Sequence, residues 1–145
     1  MAFTHLHVHT EYSLLDGSNK IKEYVARVKE LGMNSAAITD HGVMYGVIDF
    51  YRAAREAAKA AGINPILGCE VYVAPNSRFD KELTGGEDRY HHLVLLAENN
   101  IGYANLMKIA SRGFTEGYYY KPRVDMEVLQ EFHEGIIALS ACLAG

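Results

Sequence analysis

The sequence predicts an α/β fold, layered or closed into a barrel, and three observations carry that reading. Short apolar runs alternate with stretches of helical periodicity along the whole chain. Glycines, prolines and an Asp-Gly pair punctuate the boundaries. Side chains able to hold a metal recur at the ends of the apolar runs, where sites gather in folds built from βα units.

Taken in order, Phe3–Val8 alternates polar and apolar residues and is expected to be a strand. His5, His7 and His9 then share one face, with Leu6 and Val8 on the other. Asp16-Gly17 turns the chain, and Ser18 or Asn19 can cap a helix. Its apolar positions Ile21, Val25, Val28 and Leu31 predict a buried stripe, closed by Gly32. Ser35–Thr39 reads as a short buried strand ended by Asp40-His41-Gly42. An alanine-rich helix is expected from about Gly46 to Ala61, ending at Gly62. Pro65–Ala74 is the next strand, and 75–89 is polar and turn-rich, hence a loop. His92–Ala97 is a strand that can run antiparallel to the one before it. Tyr103–Arg112 is helical, and 117–123 is irregular around Pro122. Asp125 can cap a short helix through Phe132, and Gly135–Ser140 is the last strand. The expected order is β-α-β-α-β-β-α-α-β.

Composition narrows the function. The 145 residues are 49% hydrophobic and 22% charged, with a formal net charge of −4, the profile of one ordinary globular domain. No basic run advertises nucleic-acid binding through bulk charge, so affinity for DNA would come from a metal or from elsewhere. Cys69 and Cys142 lack metal-type CxxC spacing and are expected as reduced thiols in a cytoplasm. The N-terminus has no signal-peptide pattern, and no apolar run approaches a membrane span, so no membrane partner is expected.

The chemistry-bearing residues are His7, His9, Asp16, His41, Glu70, His92 and Cys142. Singly, most have an ordinary explanation: a surface pair for HxH, a turn for Asp-Gly, a capping role for His41, a small buried hydrophobe for Cys142. Glu70 is different, because it sits inside an apolar strand, and a buried carboxylate needs a partner such as a cation. Their joint placement at strand ends or on a shared face points to a metal site. Cys69 is expected on the face opposite Glu70.

The stretches HLHVHTEYSLLDG, AAITDHG, ILGCEVYVAP, HHLVLLAEN, EGYYYKPRVD and ALSACLAG together resemble the PHP (polymerase and histidinol phosphatase) domain. The last two, with SRFD, resemble the branch carried by bacterial replicative DNA polymerases. The resemblance covers 1–145. It implies a distorted (βα)7-type barrel with up to three divalent ions, zinc or manganese. The family's ligand pattern falls on His7, His9, Asp16, His41, Glu70, His92 and Cys142, with His7, His9, His41 and Glu70 in the catalytic role. His5 stands where the superfamily often has Asp and is not counted.

The same resemblance implies a 3′–5′ proofreading exonuclease within a nucleotidyltransferase of DNA replication. Its partners would be the DNA 3′ end and other subunits of the replicative holoenzyme. Arg78, Lys121 and Arg123 are candidate phosphate contacts. Two other readings compete: a scaffold that stabilises the polymerase and binds a proofreading subunit, and a free-standing histidinol-phosphatase-like enzyme. The family pattern also implies a further Asp-x-His pair and two more strands. On that basis the chain is expected to be the N-terminal part of its domain, weak in isolated activity and metal occupancy, and either prone to self-association through an open edge or marginally stable.

Overall fold

The structure, a computed structural model, describes residues 3–82 and 90–145, with backbone only for 57–61. Of the loop expected over 75–89, residues 83–89 lie outside the described residues. The elements are α1 (Ile21–Glu30), β1 (Ser35–Ile38), α2 (Val47–Ala61), β2 (Asn64–Val73), β3 (His91–Ala97), α3 (Asn100–Thr115), β4 (Tyr118–Tyr119), β5 (Lys121–Val124), α4 (Met126–Glu131) and β6 (Ile136–Leu139). The fold is mixed α/β, with the sheet order β4-β5-β2-β3-β6 and β1 paired to β2.

Strand β2 is the hub. Along one edge it pairs in parallel first with β1, then with an isolated bridge at His41, then with β5. Its other edge takes β3 antiparallel, with Glu70 opposite Val94 and Tyr72 opposite His92. The antiparallel turn therefore brings the start of β3 to the end of β2, as expected. Strand β6 pairs antiparallel with β3.

Two clusters make the core. Ile21, Val25 and Val28 of α1 pack with Val47, Phe50 and Ala54 of α2 over Ala36, Ile38 and Ile63. Leu106 and Ile109 of α3, with Val128 and Leu129 of α4, cover Cys69, Val71, Leu95 and Val124. Burial of such side chains contributes roughly 1.5–3 kcal/mol each. The period of two then decides the site. Cys69 and Val71 face the second cluster, so Glu70 and Tyr72 point to the opposite face. Burial pushes the Cys69 thiol up to about 12, so it stays protonated.

Several expectations change. Phe3–Val8 is not a strand. The Thr39 N–H donates to Val8 O at 2.8 Å. However, the Val8 N–H goes to Thr39 Oγ1 and the Thr10 N–H to Asp40 Oδ1, at 2.7 and 2.6 Å. Side-chain acceptors thus take the donors that a ladder would use. Helix α1 is preceded by Lys20 without a side-chain cap, and Asn19 instead donates to His9 O at 2.8 Å. Leu31 is 52% exposed because the helix has already ended. Gly32 closes it as expected, at φ 70°, with the Met33 N–H reaching back to Val28 O.

Helix α3 starts earlier than its apolar period suggested, because the Asn99 side chain accepts the Gly102 N–H at 3.0 Å. Residues 117–123 are not irregular but form the β4–β5 hairpin, turning at Tyr120 with φ 61°. Pro122 is tolerated there because the ladder to β2 begins only at Arg123.

Candidate metal centre

Four segments deliver side chains to the face of β2 that carries Glu70. Thr10 caps a short helical turn over Glu11–Ser13, which reverses the chain and returns Asp16 beside His9. The His41 bridge to Glu70 follows from two backbone bonds, Glu70 N–H to Asp40 O and Gly42 N–H to Glu70 O. His92 stands at the start of β3, beside Tyr72.

Glu70 is fully buried at the centre. His7 Nε2 and His9 Nε2 each lie 2.6 Å from its Oε2 and 3.2 Å from one another. His92 Nδ1 lies 2.7 Å from its Oε1. His41 Nε2 and His9 Nδ1 approach Asp16 Oδ2 at 2.8 and 3.2 Å. The structure therefore brings together His7, His9, Asp16, His41, Glu70 and His92. Cys142 stands at the margin, exposed, with Sγ 3.7 Å from His92 Nδ1. It is placed there by the His92 N–H, which donates to Ala144 O. His5 packs edge-on to Phe3 instead.

The electrostatics suit a cation. Burial alone would raise the Glu70 pKa, but hydrogen bonds from His9 and His7 outweigh it and bring it down to about 2. Burial would likewise raise Asp16, and the His41 bond overrides it. His41 is lowered, chiefly by burial, which favours the neutral imidazole with a free lone pair. His9 is raised by its bond to Glu70. Among the described residues, His41 Nδ1 is a buried polar atom with no hydrogen-bond partner, 3.6 Å from Glu70 Oε2. Such an orphan calls for an explanation, and a divalent ion supplies one. Three overlapping triads are close enough to hold ions: His7/His9/Glu70, His9/Asp16/His41 and His41/Glu70/His92. They share members, as a polynuclear centre requires.

Asp40 was legible in the sequence only as part of a turn. It is buried, and its carboxylate accepts from the Thr10 N–H, Thr10 Oγ1 and Ser13 Oγ at 2.6–2.7 Å. Ser13 Oγ in turn accepts the His41 N–H. One carboxylate thus ties the segment bearing His7, His9 and Asp16 to the strand end bearing His41. The Asp40→Asn variant places an amide N–H₂ against groups that already donate. It is expected to lose about 1–3 kcal/mol in urea unfolding and to bind metal more weakly, measured by competition with a chromogenic chelator. Unchanged values in both would refute the tie.

Arg78 and Arg123 are corrected. Arg78 is buried against Asp125, Glu116 and Glu127. Arg123, 1% exposed, donates to the carbonyls of Gly117, Arg78 and Asp80. Both guanidiniums hold the chain together, and neither is free for a substrate.

A mixed α/β sheet with imidazoles and carboxylates clustered on one face defines a protein with a candidate metal centre. The chain belongs to the PHP domain family, whose model matches residues 5–145. It is 52% identical to the DNA polymerase III subunit alpha of Treponema pallidum, over 100% of this chain and 12% of that one. With the same subunit of Helicobacter pylori the identity is 52%, over 99% and 11%. With that of Aquifex aeolicus it is 47%, over 99% and 12%. The chain therefore spans about an eighth of the length of these relatives. A protein of Bifidobacterium adolescentis described as a metal-dependent phosphoesterase shares the fold, with TM-score 0.51 and 18% identity over 76% of this chain and 32% of that one.

Proposed function

We propose that this chain is the phosphoesterase module of a bacterial replicative DNA polymerase alpha subunit, cutting 3′-terminal phosphodiesters as a 3′–5′ exonuclease in DNA replication. The observation that carries this reading is the convergence of four imidazoles on Glu70, two of which also meet the Asp16 carboxylate. The identity to polymerase III alpha subunits along the whole chain supports the replicative setting. In that setting the partners are the DNA 3′ end and other subunits of the holoenzyme, in the cytoplasm. No helix among the described residues is long and apolar enough to cross a membrane.

His7, His9, Asp16, His41, Glu70 and His92 would hold the ions, zinc or manganese, with Cys142 completing the set beside His92. Bound there, divalent ions supply Lewis acidity towards a phosphoryl group and activate water. The chain's own contribution is placement. Glu70, ionised and buried, fixes three imidazoles at once. Asp40 holds the strap that carries His7 and His9. The cluster opens on a cleft lined by His5, His7, His9, Asp16, Ser18 and Asn19, where a strand end can enter.

The test is metal loading. Manganese or zinc at 100 times its dissociation constant is expected to stabilise the fold by about 2.7 kcal/mol, read as a raised thermal midpoint that a chelator reverses. The full-length polymerase alpha subunit is expected to release 3′-terminal nucleotides from single-stranded DNA only when metal is present. No metal uptake sinks the reading. Metal uptake without hydrolysis would favour the scaffold role instead.

A further inference from the structure

Of the three basic residues that the sequence offers for phosphate, the structure uses two internally and leaves Lys121. Lys121 makes no ion pair with a described carboxylate. Its Nζ lies 5.5 Å from the centroid of the Tyr72 ring. That ring stacks on His41, with centroids 5.9 Å apart and planes at 11°, and meets His92 edge-on at 5.2 Å. One aromatic ring thus contacts both the ammonium and two imidazoles of the metal cluster.

A second contact fixes the same geometry from the backbone. Pro122, next to Lys121, abuts Gly42, next to His41: a Cβ on Gly42 would sit 2.9 Å from Pro122 Cγ and 3.0 Å from the Tyr72 ring. Gly42 also has φ 66°, so the turn after His41 is both left-handed and filled from above by the β4–β5 hairpin. The hairpin thus packs on the turn after His41 and holds Lys121 on the ring that His41 and His92 also contact.

Among the described residues of the cluster, the formally charged side chains are the carboxylates Glu70 and Asp16. A nucleic-acid strand brings more than one phosphate, and the ions can engage only the one being cut. We propose that Lys121 binds the phosphodiester adjacent to the scissile one, and so selects an oligonucleotide over a small phosphomonoester. This rests on the reading of the cluster as a phosphodiesterase site. A lysine suits the task as a mobile point charge, whereas the two arginines are locked by bidentate and carbonyl bonds.

The experiment is a fluorescence anisotropy titration on this chain loaded with manganese. The probe is a fluorescein-labelled, phosphorothioate-linked thymidine pentanucleotide, which resists hydrolysis. Lys121→Ala is expected to weaken binding about tenfold and to reduce the slope of log affinity against log salt by about 0.7, one phosphate contact on a single strand. Lys121→Arg should stay close to the parent. Lys29→Ala, an exposed lysine of α1 remote from the cluster, controls for net charge. Metal content by elemental analysis should be equal in all four chains. If Lys121→Ala and Lys29→Ala bind alike while the parent binds, the role of Lys121 is overturned and the phosphodiesterase reading stands. If the parent itself fails to bind the probe with full metal content, both fall.

Discussion

Replacing Glu70 with glutamine is expected to cost more than 100-fold in metal affinity, and hydrolysis with it. Partners that merely orient metal ligands are worth about 10–100-fold, and Glu70 belongs to two of the three candidate triads. Glutamine keeps the shape but loses the charge. Its N–H₂ group must also face an imidazole nitrogen that now sits 2.6–2.7 Å from a carboxylate oxygen. Elemental analysis and nucleotide release read the two losses. An enzyme that retains metal with glutamine at this position would remove Glu70 from the centre.

The same substitution has a signature in chelator, where only the protein's own groups remain. The lowered Glu70 contributes stability that is present above its ordinary value of 4.5 and fades as pH falls towards about 2. The raised His9 contributes stability that is full below its ordinary 6.5 and is lost as pH climbs through its folded value. The parent should therefore exceed the glutamine variant most between pH 4.5 and 6.5, with the gap narrowing on both sides. Urea midpoints across that range decide it, and a flat difference would mean that the Glu70–His9 pair does not stabilise the fold.

Arg78→Met is expected to be the most damaging change away from the cluster. Its guanidinium Nη1 donates to both Asp125 oxygens at 3.0 Å, its backbone N–H donates to Oδ2 at 2.9 Å, and Nε reaches Glu116 at 2.7 Å. Asp125 also caps α4 by accepting the Val128 N–H. Burial would raise Asp125, yet the N–H bonds from Arg78 and Val128 hold it below the usual carboxylate range. Removing the guanidinium strands that carboxylate in the interior, at a cost of about 3–5 kcal/mol, a large share of a typical domain's stability. Urea unfolding measures the loss. Adding Asp125→Asn should recover part of it, because the stranded charge goes too; a double variant no better than the single would refute the pairing.

The residue types of the cluster were legible because their chemistry is unusual for their setting. A glutamate between Cys69 and Val71 has to face away from the apolar core, and HxH keeps two imidazoles on one side even where no strand forms. What could not be read is where side chains replace backbone. Thr39 and Asp40 capture the donors of Val8 and Thr10, so an alternating pattern that should pair as a strand becomes an extended strap. The YYYKP stretch looked irregular because proline weakens a strand pattern, while the ladder that matters starts one residue later. Arg78 and Arg123 were misassigned for a related reason. Charge is visible in sequence, but the carboxylates and carbonyls that absorb it come mainly from segments 43–47 residues away.

That strap has a dynamic consequence. Strands β2 and β3 are locked by a six-residue ladder, whereas residues 7–10 form no ladder and rest on Thr39, Asp40 and Glu70 through hydrogen bonds made largely by side chains. A segment so held opens locally without disturbing the global fold. His7 and His9 would travel with it, while Glu70, His41 and His92 stay in place. Exchange of a bound ion with solvent would then follow a hinged door rather than unfolding. Amide hydrogen exchange at Val8 and Thr10 should run ahead of that at Val94 and Leu95, and slow selectively when metal closes the door.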